Sequence, residues 1–201
     1  RPRTLKSGGT GPLLHKAHKL SASSILVSFA NICPENQKNA TYTASGLRLA
    51  EDWRQDWELD TQRTGNLDIV SINLPRISLD AKGEEDKFLE LLDDQLDIAK
   101  QALEIKYHTI RKREEQNLLP YLTQKANGDK YFRLENSTRV ISLIGSNEAV
   151  QKLMNKDVAE DYGKTFVLTE KILKHINTYT KKNTKKPETR LTTAITPNRA
   201  A

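Results

Sequence analysis

Residues 63–80, RTGNLDIVSINLPRISLD, place an amide and a hydroxyl on one face of an apolar segment. Strand alternation puts Val70, Ile72 and Leu74 on one side and Leu67, Ile69, Ser71 and Asn73 on the other. The first side is wholly apolar and belongs under helices. The second turns polar toward its carboxyl end, where Pro75 and Arg76 follow. A buried amide both donates and accepts, and it needs partners. Asn73 therefore either holds a ligand or satisfies neighbouring backbone. Arg76 either meets a phosphate or forms a surface ion pair. The stretch reads as one strand with a loop at each end, covered on both faces as in a parallel sheet or barrel.

The elements that position this strand follow from periodicity. After Gly83, Phe88, Leu92, Leu96, Ala99, Leu103 and Ile110 recur at helical spacing, behind Glu84, Glu85 and Asp86 and ahead of Arg111, Lys112 and Arg113. Acid at the start and base at the end suit the helix dipole, so a helix of about thirty residues, roughly 45 Å long, is expected. Pro120 closes that segment, and ANGDKYF is a turn. Val140 to Ile144 make a second strand ending at Gly145, with Ser146 or Asn147 capping the next helix. A further helix over about 158–181 carries Tyr162, Phe166, Leu173 and Ile176 on one side. Strand, long helix, strand, helix implies neighbouring parallel strands with helices outside. In such folds ligands bind beyond the carboxyl ends of the strands, which is where Asn73 falls.

Upstream, residues 1–23 form a loose basic segment with a short helix near 12–22. SILVSFA, 24–30, reads as a strand and 31–48 as a loop, while 48–61, with Trp53 and Trp57 four residues apart, suits either one face of a helical turn or an extended loop anchored by two indoles. No apolar run reaches membrane-spanning length, and the amino-terminal stretch has no signal-peptide core. The absence of an initiator Met suggests an internal piece of a longer product. One cysteine, Cys33, excludes an internal disulfide and a cysteine-built zinc cluster, and suits a cytoplasmic setting. The net charge of +6 comes from interspersed acids and bases. Only Lys181, Lys182, Lys185 and Lys186 cluster, without interleaved aromatics, so a nucleic-acid partner ranks last.

Several of these residues together resemble a known family. TGNLDIVSINLPRISLDAKGEEDKFLELLDDQLDIAKQAL is similar to the Gly-Asn-Leu, Asn-Leu-Pro-Arg-Ile and acidic-then-apolar helix of anaerobic (class III) ribonucleoside-triphosphate reductases, which are glycyl-radical enzymes. LIGSNEAV resembles that family's Leu-Ile-Gly-Leu-Asn-Glu-Ala, with Ser146 replacing the apolar residue. NATYTASGLRLAEDWRQDWELDTQRTGN resembles the loop before the strand, and RLTTAITPNRAA a later segment. The resemblance covers about residue 28 onward.

The resemblance implies an α/β fold, with residues 24–201 a central part of a ten-stranded β/α barrel and a finger loop at about 31–62. It implies a cytoplasmic oxidoreductase that reduces ribonucleoside triphosphates to deoxyribonucleotides. A loop-tip cysteine there becomes a thiyl radical that takes the 3′ hydrogen of the ribose. Partners would be a radical-SAM activating protein, the remaining parts of the reductase and a second copy. The glycyl radical, the ATP and dNTP effector sites and the zinc site belong to the complete enzyme, and this segment is expected to bind no cofactor or metal. Asn73 matches the strand-end asparagine of the active site, so the resemblance assigns it a catalytic place. Asn147, Glu148 and Arg76 are the candidate substrate contacts, with helix capping, dipole placement and a surface pair as their plainer roles. Ser45 falls at the radical-cysteine position, and a hydroxyl cannot replace the thiol because its O–H bond is too strong. Cys33, twelve residues upstream, is the remaining thiol. The chain is expected to be inactive alone. The alternative is a degenerate scaffold that binds a nucleotide or partner without chemistry.

Overall fold

The computed structural model describes residues 11–23, 41, 42, 48, 49, 65–126, 128–155, 162–184 and 190–195. The chain divides into two compact units, Arg1–Arg48 and Leu49–Ala201. In the first, helix α1 (Gly11–Ser23) matches the expected short helix, and none of its side chains is buried. Two-residue strands β1 (Thr41–Tyr42) and β2 (Arg48–Leu49) pair with each other. The strand expected at 24–30 and the loop bearing Trp53 and Trp57 lie outside the described residues.

The second unit is built on β3 (Asn66–Asn73), whose Ile69, Val70 and Ile72 favour the extended chain. No loop follows it. Asn73 is the N-cap of helix α2 (Leu74–Ala81), and Pro75 sits in the first turn, where its fixed φ and missing N–H are harmless. Leu74, expected as a strand residue, is the first residue of this helix and is still buried. Lys82 and Gly83 then take left-handed φ values of 55° and 86° and end the helix. Helix α3 (Glu85–Glu115) spans 31 residues, with acids in its first turn and bases in its last. It buries Phe88, Leu92, Leu96, Ala99, Leu103 and Tyr107, a stripe at three- and four-residue spacing.

After Gln116 come α4 (Pro120–Thr123), the hairpin β4 (Lys125–Ala126) and β5 (Asp129–Lys130), and a 3₁₀ turn at Leu134–Asn136. Strand β6 (Thr138–Ile144) leads into α5 (Ser146–Met154) and α6 (Tyr162–Asn183). A further strand that periodicity does not reveal, β7 (Leu191–Ile195), completes a three-stranded parallel sheet in the order β3-β6-β7.

Register decides which side chains share a face. Val70 and Ile72 pair with Ile141 and Leu143, and these pair with Thr193 and Ile195. Val70, Ile72, Ile141 and Leu143 pack with the stripe of α3, with Ala149 and Val150 of α5 and with Leu168, Ile172 and Ile176 of α6. Each large side chain fully buried there contributes about 1.5–3 kcal/mol over exposure. At the amino end of β6, the guanidinium of Arg139 lies 4.2 Å over the Tyr107 ring of α3, a favourable cation–π contact. Helix α6 turns Thr165, Leu168, Ile172, Ile176 and Thr180 inward, and Phe166, expected inside, is 56% exposed.

The opposite face departs from expectation. Val140 and Ser142 of the central strand are buried on it. On β3, however, Ile69 is 41% exposed, and Ser71 and Asn73 are exposed as well. Among the described residues the helices pack on the other face of β3, where Val70 and Ile72 lie.

Helices α3 and α6 run in the same direction and meet through three polar rungs. Lys171 Nζ donates to Glu85 Oε2 at 2.8 Å, His175 Nε2 lies 2.7 Å from Asp93 Oδ1, and the Tyr179 hydroxyl donates to Asp97 Oδ1 at 2.5 Å. Burial first, and then its bond to Asp97, hold the Tyr179 hydroxyl protonated well above its ordinary range near 10.

Two predictions follow from this packing. Gly145 adopts φ 73°, and an added Cβ would lie 2.7 Å from Pro75 Cδ and closer still to Cγ. Gly145→Ala therefore meets both a left-handed backbone and the proline ring, and should lose at least about 1–2 kcal/mol in urea unfolding. The proton on Tyr179 is favoured in the folded state, so the stability it adds is present below pH 10 and lost as pH rises through the raised folded value. Melting temperature should accordingly fall more steeply above pH 10 in the parent chain than in Tyr179→Phe.

Candidate functional site at the carboxyl end of the sheet

Parallel pairing brings the carboxyl ends of β3 and β6 side by side, with Asn73 opposite Ile144. Each strand turns at once into a helix, α2 from Leu74 and α5 from Ser146. The two corners interlock. Gly145 has no side chain, and the Pro75 ring occupies the space one would need. Asn73 and the first turn of α5 are thereby held as one edge.

Asn73 Oδ1 accepts the backbone N–H of Arg76 at 3.1 Å. This is the neighbouring-backbone role that the sequence left open, and it occupies half of the amide. The bond also fixes the side-chain orientation, so Nδ2 becomes the outward group, with no hydrogen bond among the described residues. Ser71 shares that face two residues earlier, exposed and without a hydrogen-bond partner among the described residues.

The other candidates divide. Arg76 Nε donates to Asp80 Oδ2 at 3.1 Å, one helical turn on, with both side chains well exposed. This is the surface pair, a contact of small energetic weight. Asn147 and Glu148 lie exposed in the first turn of α5, where the helix dipole favours the carboxylate. The helix is not capped as expected. Gly145 is the N-cap residue, and neither Ser146 nor Asn147 supplies a capping bond. Ser146 Oγ is instead buried without a hydrogen-bond partner among the described residues. Ser45 and Cys33 lie outside the described residues.

The register thus sets Asn73 beside Ile144, three and four residues ahead of Asn147 and Glu148, while Arg76 is exposed on α2. Ser71 is the residue that assigning roles by resemblance passes over, although its two-residue spacing from Asn73 is visible in the sequence. Among the described residues no three His, Cys, Asp or Glu side chains are grouped to hold a metal ion. No helix among them is long and apolar enough to cross a membrane.

Comparison with known proteins agrees with this layout. The family profile described as anaerobic ribonucleoside-triphosphate reductase matches residues 3–199. An anaerobic ribonucleoside-triphosphate reductase of Haemophilus influenzae is 36% identical over 100 residues, which is 45% of this chain and 14% of that protein. Its Salmonella typhimurium counterpart is 55% identical over 38 residues, 19% of this chain and 5% of that protein. The chain therefore spans a small part of the relatives it matches. Among solved structures, the Thermotoga maritima anaerobic ribonucleotide reductase in complex with dATP and CTP superposes with a TM-score of 0.58 at 19% identity, over 77% of this chain and 24% of that one. The same enzyme with dATP in the specificity site gives 0.59 at 18% identity, over 84% and 26%. These superpositions show a shared mixed α/β fold around a small parallel sheet. With the profile matching nearly its whole length, the chain belongs to the anaerobic ribonucleoside-triphosphate reductase family.

Proposed function

We propose that this chain forms part of the substrate-binding wall of an anaerobic ribonucleoside-triphosphate reductase, within a ten-stranded β/α barrel of the glycyl-radical type. One observation carries the reading. The Asn73 amide stands exposed at the carboxyl end of a parallel strand, with Oδ1 held by the Arg76 N–H and Nδ2 without a hydrogen bond among the described residues. Ligands of α/β sheets and barrels bind at such ends.

In this role Nδ2 donates to a ribose hydroxyl of a ribonucleoside triphosphate, while Oδ1 stays on the Arg76 N–H and keeps the amide oriented. Asn147 and Glu148, at the amino end of α5, border the same ligand. The radical of the complete enzyme supplies hydrogen-atom abstraction from the sugar. With Ser45 at the cysteine position, this chain binds and orients but does not turn over alone. Its further partners are the rest of the reductase, the radical-SAM activating protein and a second copy, in the cytoplasm. The effector, zinc and glycyl-radical sites lie in the rest of the enzyme.

CTP is the first ligand to test, since a neighbouring structure of the same fold contains CTP. Calorimetric titration of the chain with CTP should show saturable binding. Asn73→Ser keeps a good N-cap but removes the amide donor. It should melt like the parent and bind CTP about fivefold more weakly, the loss of one hydrogen bond. Asn73→Ala should in addition lose about 1 kcal/mol of stability with the cap. Parent-like CTP affinity in Asn73→Ser would remove the amide from the site.

A further inference from the structure

We infer that Ser71 sets the preference for a ribose over a deoxyribose, its hydroxyl and Asn73 Nδ2 taking the two oxygens of a vicinal diol. The inference rests on the proposed nucleotide-binding role of this face and names a residue that role leaves unassigned.

Four features of the open face support it. Ser71 and Asn73 are two residues apart on β3 and point to the same side, about 6.6 Å apart along the strand. Two hydrogen bonds of about 2.8 Å, one to each oxygen of a diol lying between them, bridge that distance. The donors and acceptors also match. Nδ2 can only donate, whereas a serine hydroxyl donates or accepts as the diol requires. The register partner of Ser71 is Ser142, and Ser142 is buried, so of this cross-strand pair only Ser71 can meet a ligand. Finally, the polar pair is bordered by apolar surface. Ile69 precedes it on the strand and Ile144 stands beside Asn73, both partly exposed on the same face. A sugar presents this combination of paired hydroxyls and apolar C–H edges.

The fold itself gives no reason for a serine here. Its hydroxyl bonds to nothing among the described residues, and a β-branched residue would favour the strand more. A ligand lacking the 2′ hydroxyl would forfeit the hydrogen bond to Ser71, the kind of loss on which such discrimination rests.

The experiment compares CTP with 2′-deoxy-CTP by calorimetric titration of the full chain. The parent should bind CTP about fivefold more tightly than the deoxy form, the worth of one hydrogen bond. Ser71→Ala should bring that ratio near one, through weaker CTP binding alone, with an unchanged melting temperature. Ser71→Thr, which keeps the hydroxyl and suits a strand, should retain the preference. An undiminished ratio in Ser71→Ala, or a collapsed one in Ser71→Thr, overturns the assignment while leaving the Asn73 reading intact. Absence of saturable CTP binding in the parent overturns both.

Discussion

The contact between Pro75 and Gly145 is the constraint on which the site depends. Two adjacent parallel strands each end in an abrupt turn into a helix, and the two turns collide unless one of them gives up its side chain. Gly145 does so, and its φ of 73° is also one that glycine adopts without strain. Proline on the other corner adds stiffness, since its ring fixes φ and has no rotamers to lose. The result is an edge in which the positions of Asn73 and the first turn of α5 do not vary independently. Catalytic and binding groups lose effectiveness with misplacements of about 1 Å, so a rigid corner serves such an edge better than a flexible loop.

The sheet explains why the polar groups face where they do. Helices α3, α5 and α6 cover one side, and Val70, Ile72, Ile141 and Leu143 project into that core. Alternation leaves Ile69, Ser71 and Asn73 on the opposite side. A one-residue slip of β3 against β6 would drive Ser71 and Asn73 into the apolar core, so burial of the aliphatic set specifies the register that exposes the polar set. The polar rungs between α3 and α6 add alignment along the outer layer, where Glu85, Asp93 and Asp97 meet Lys171, His175 and Tyr179 in order. The rungs are partly solvated, and the apolar seam beneath them supplies most of the cohesion.

Much of this layout was legible in the sequence, for reasons that differ by element. The long helix declared itself because Phe88, Leu92, Leu96, Ala99 and Leu103 keep one periodicity over several turns, and because its terminal charges suit the dipole. Strand β3 was legible from its β-branched residues. Helix α2 was not, because Leu74-Pro75-Arg76 reads as a strand stop, whereas Asn73 as N-cap with proline in the first turn is equally a helix start. Strand β7 is short and threonine-rich, and its place comes from pairing with β6, which local pattern does not encode. Phe166 faces outward despite its size, because α6 turns the small Thr165 inward beside Leu168 and Ile172. The family was legible because the order and spacing of several weak motifs are jointly specific, and the profile match runs further toward the amino terminus than those motifs do.

Asn73 shows how one residue can satisfy a structural and a chemical demand together. By sequence alone, holding a ligand and satisfying neighbouring backbone are alternatives for its amide. In the fold they fall on different atoms. Oδ1 is consumed by the Arg76 N–H, and that bond stops the amide from flipping and leaves the donor outward. A serine would cap the helix as well, but its one O–H sits on the same oxygen that accepts the cap bond and reaches less far, and an aspartate would present no donor. A glutamine could present the donor but is a poor cap. Asparagine caps the helix through Oδ1 and keeps a separate amide donor on Nδ2, so at the junction of β3 and α2 the cap does not use up the side chain.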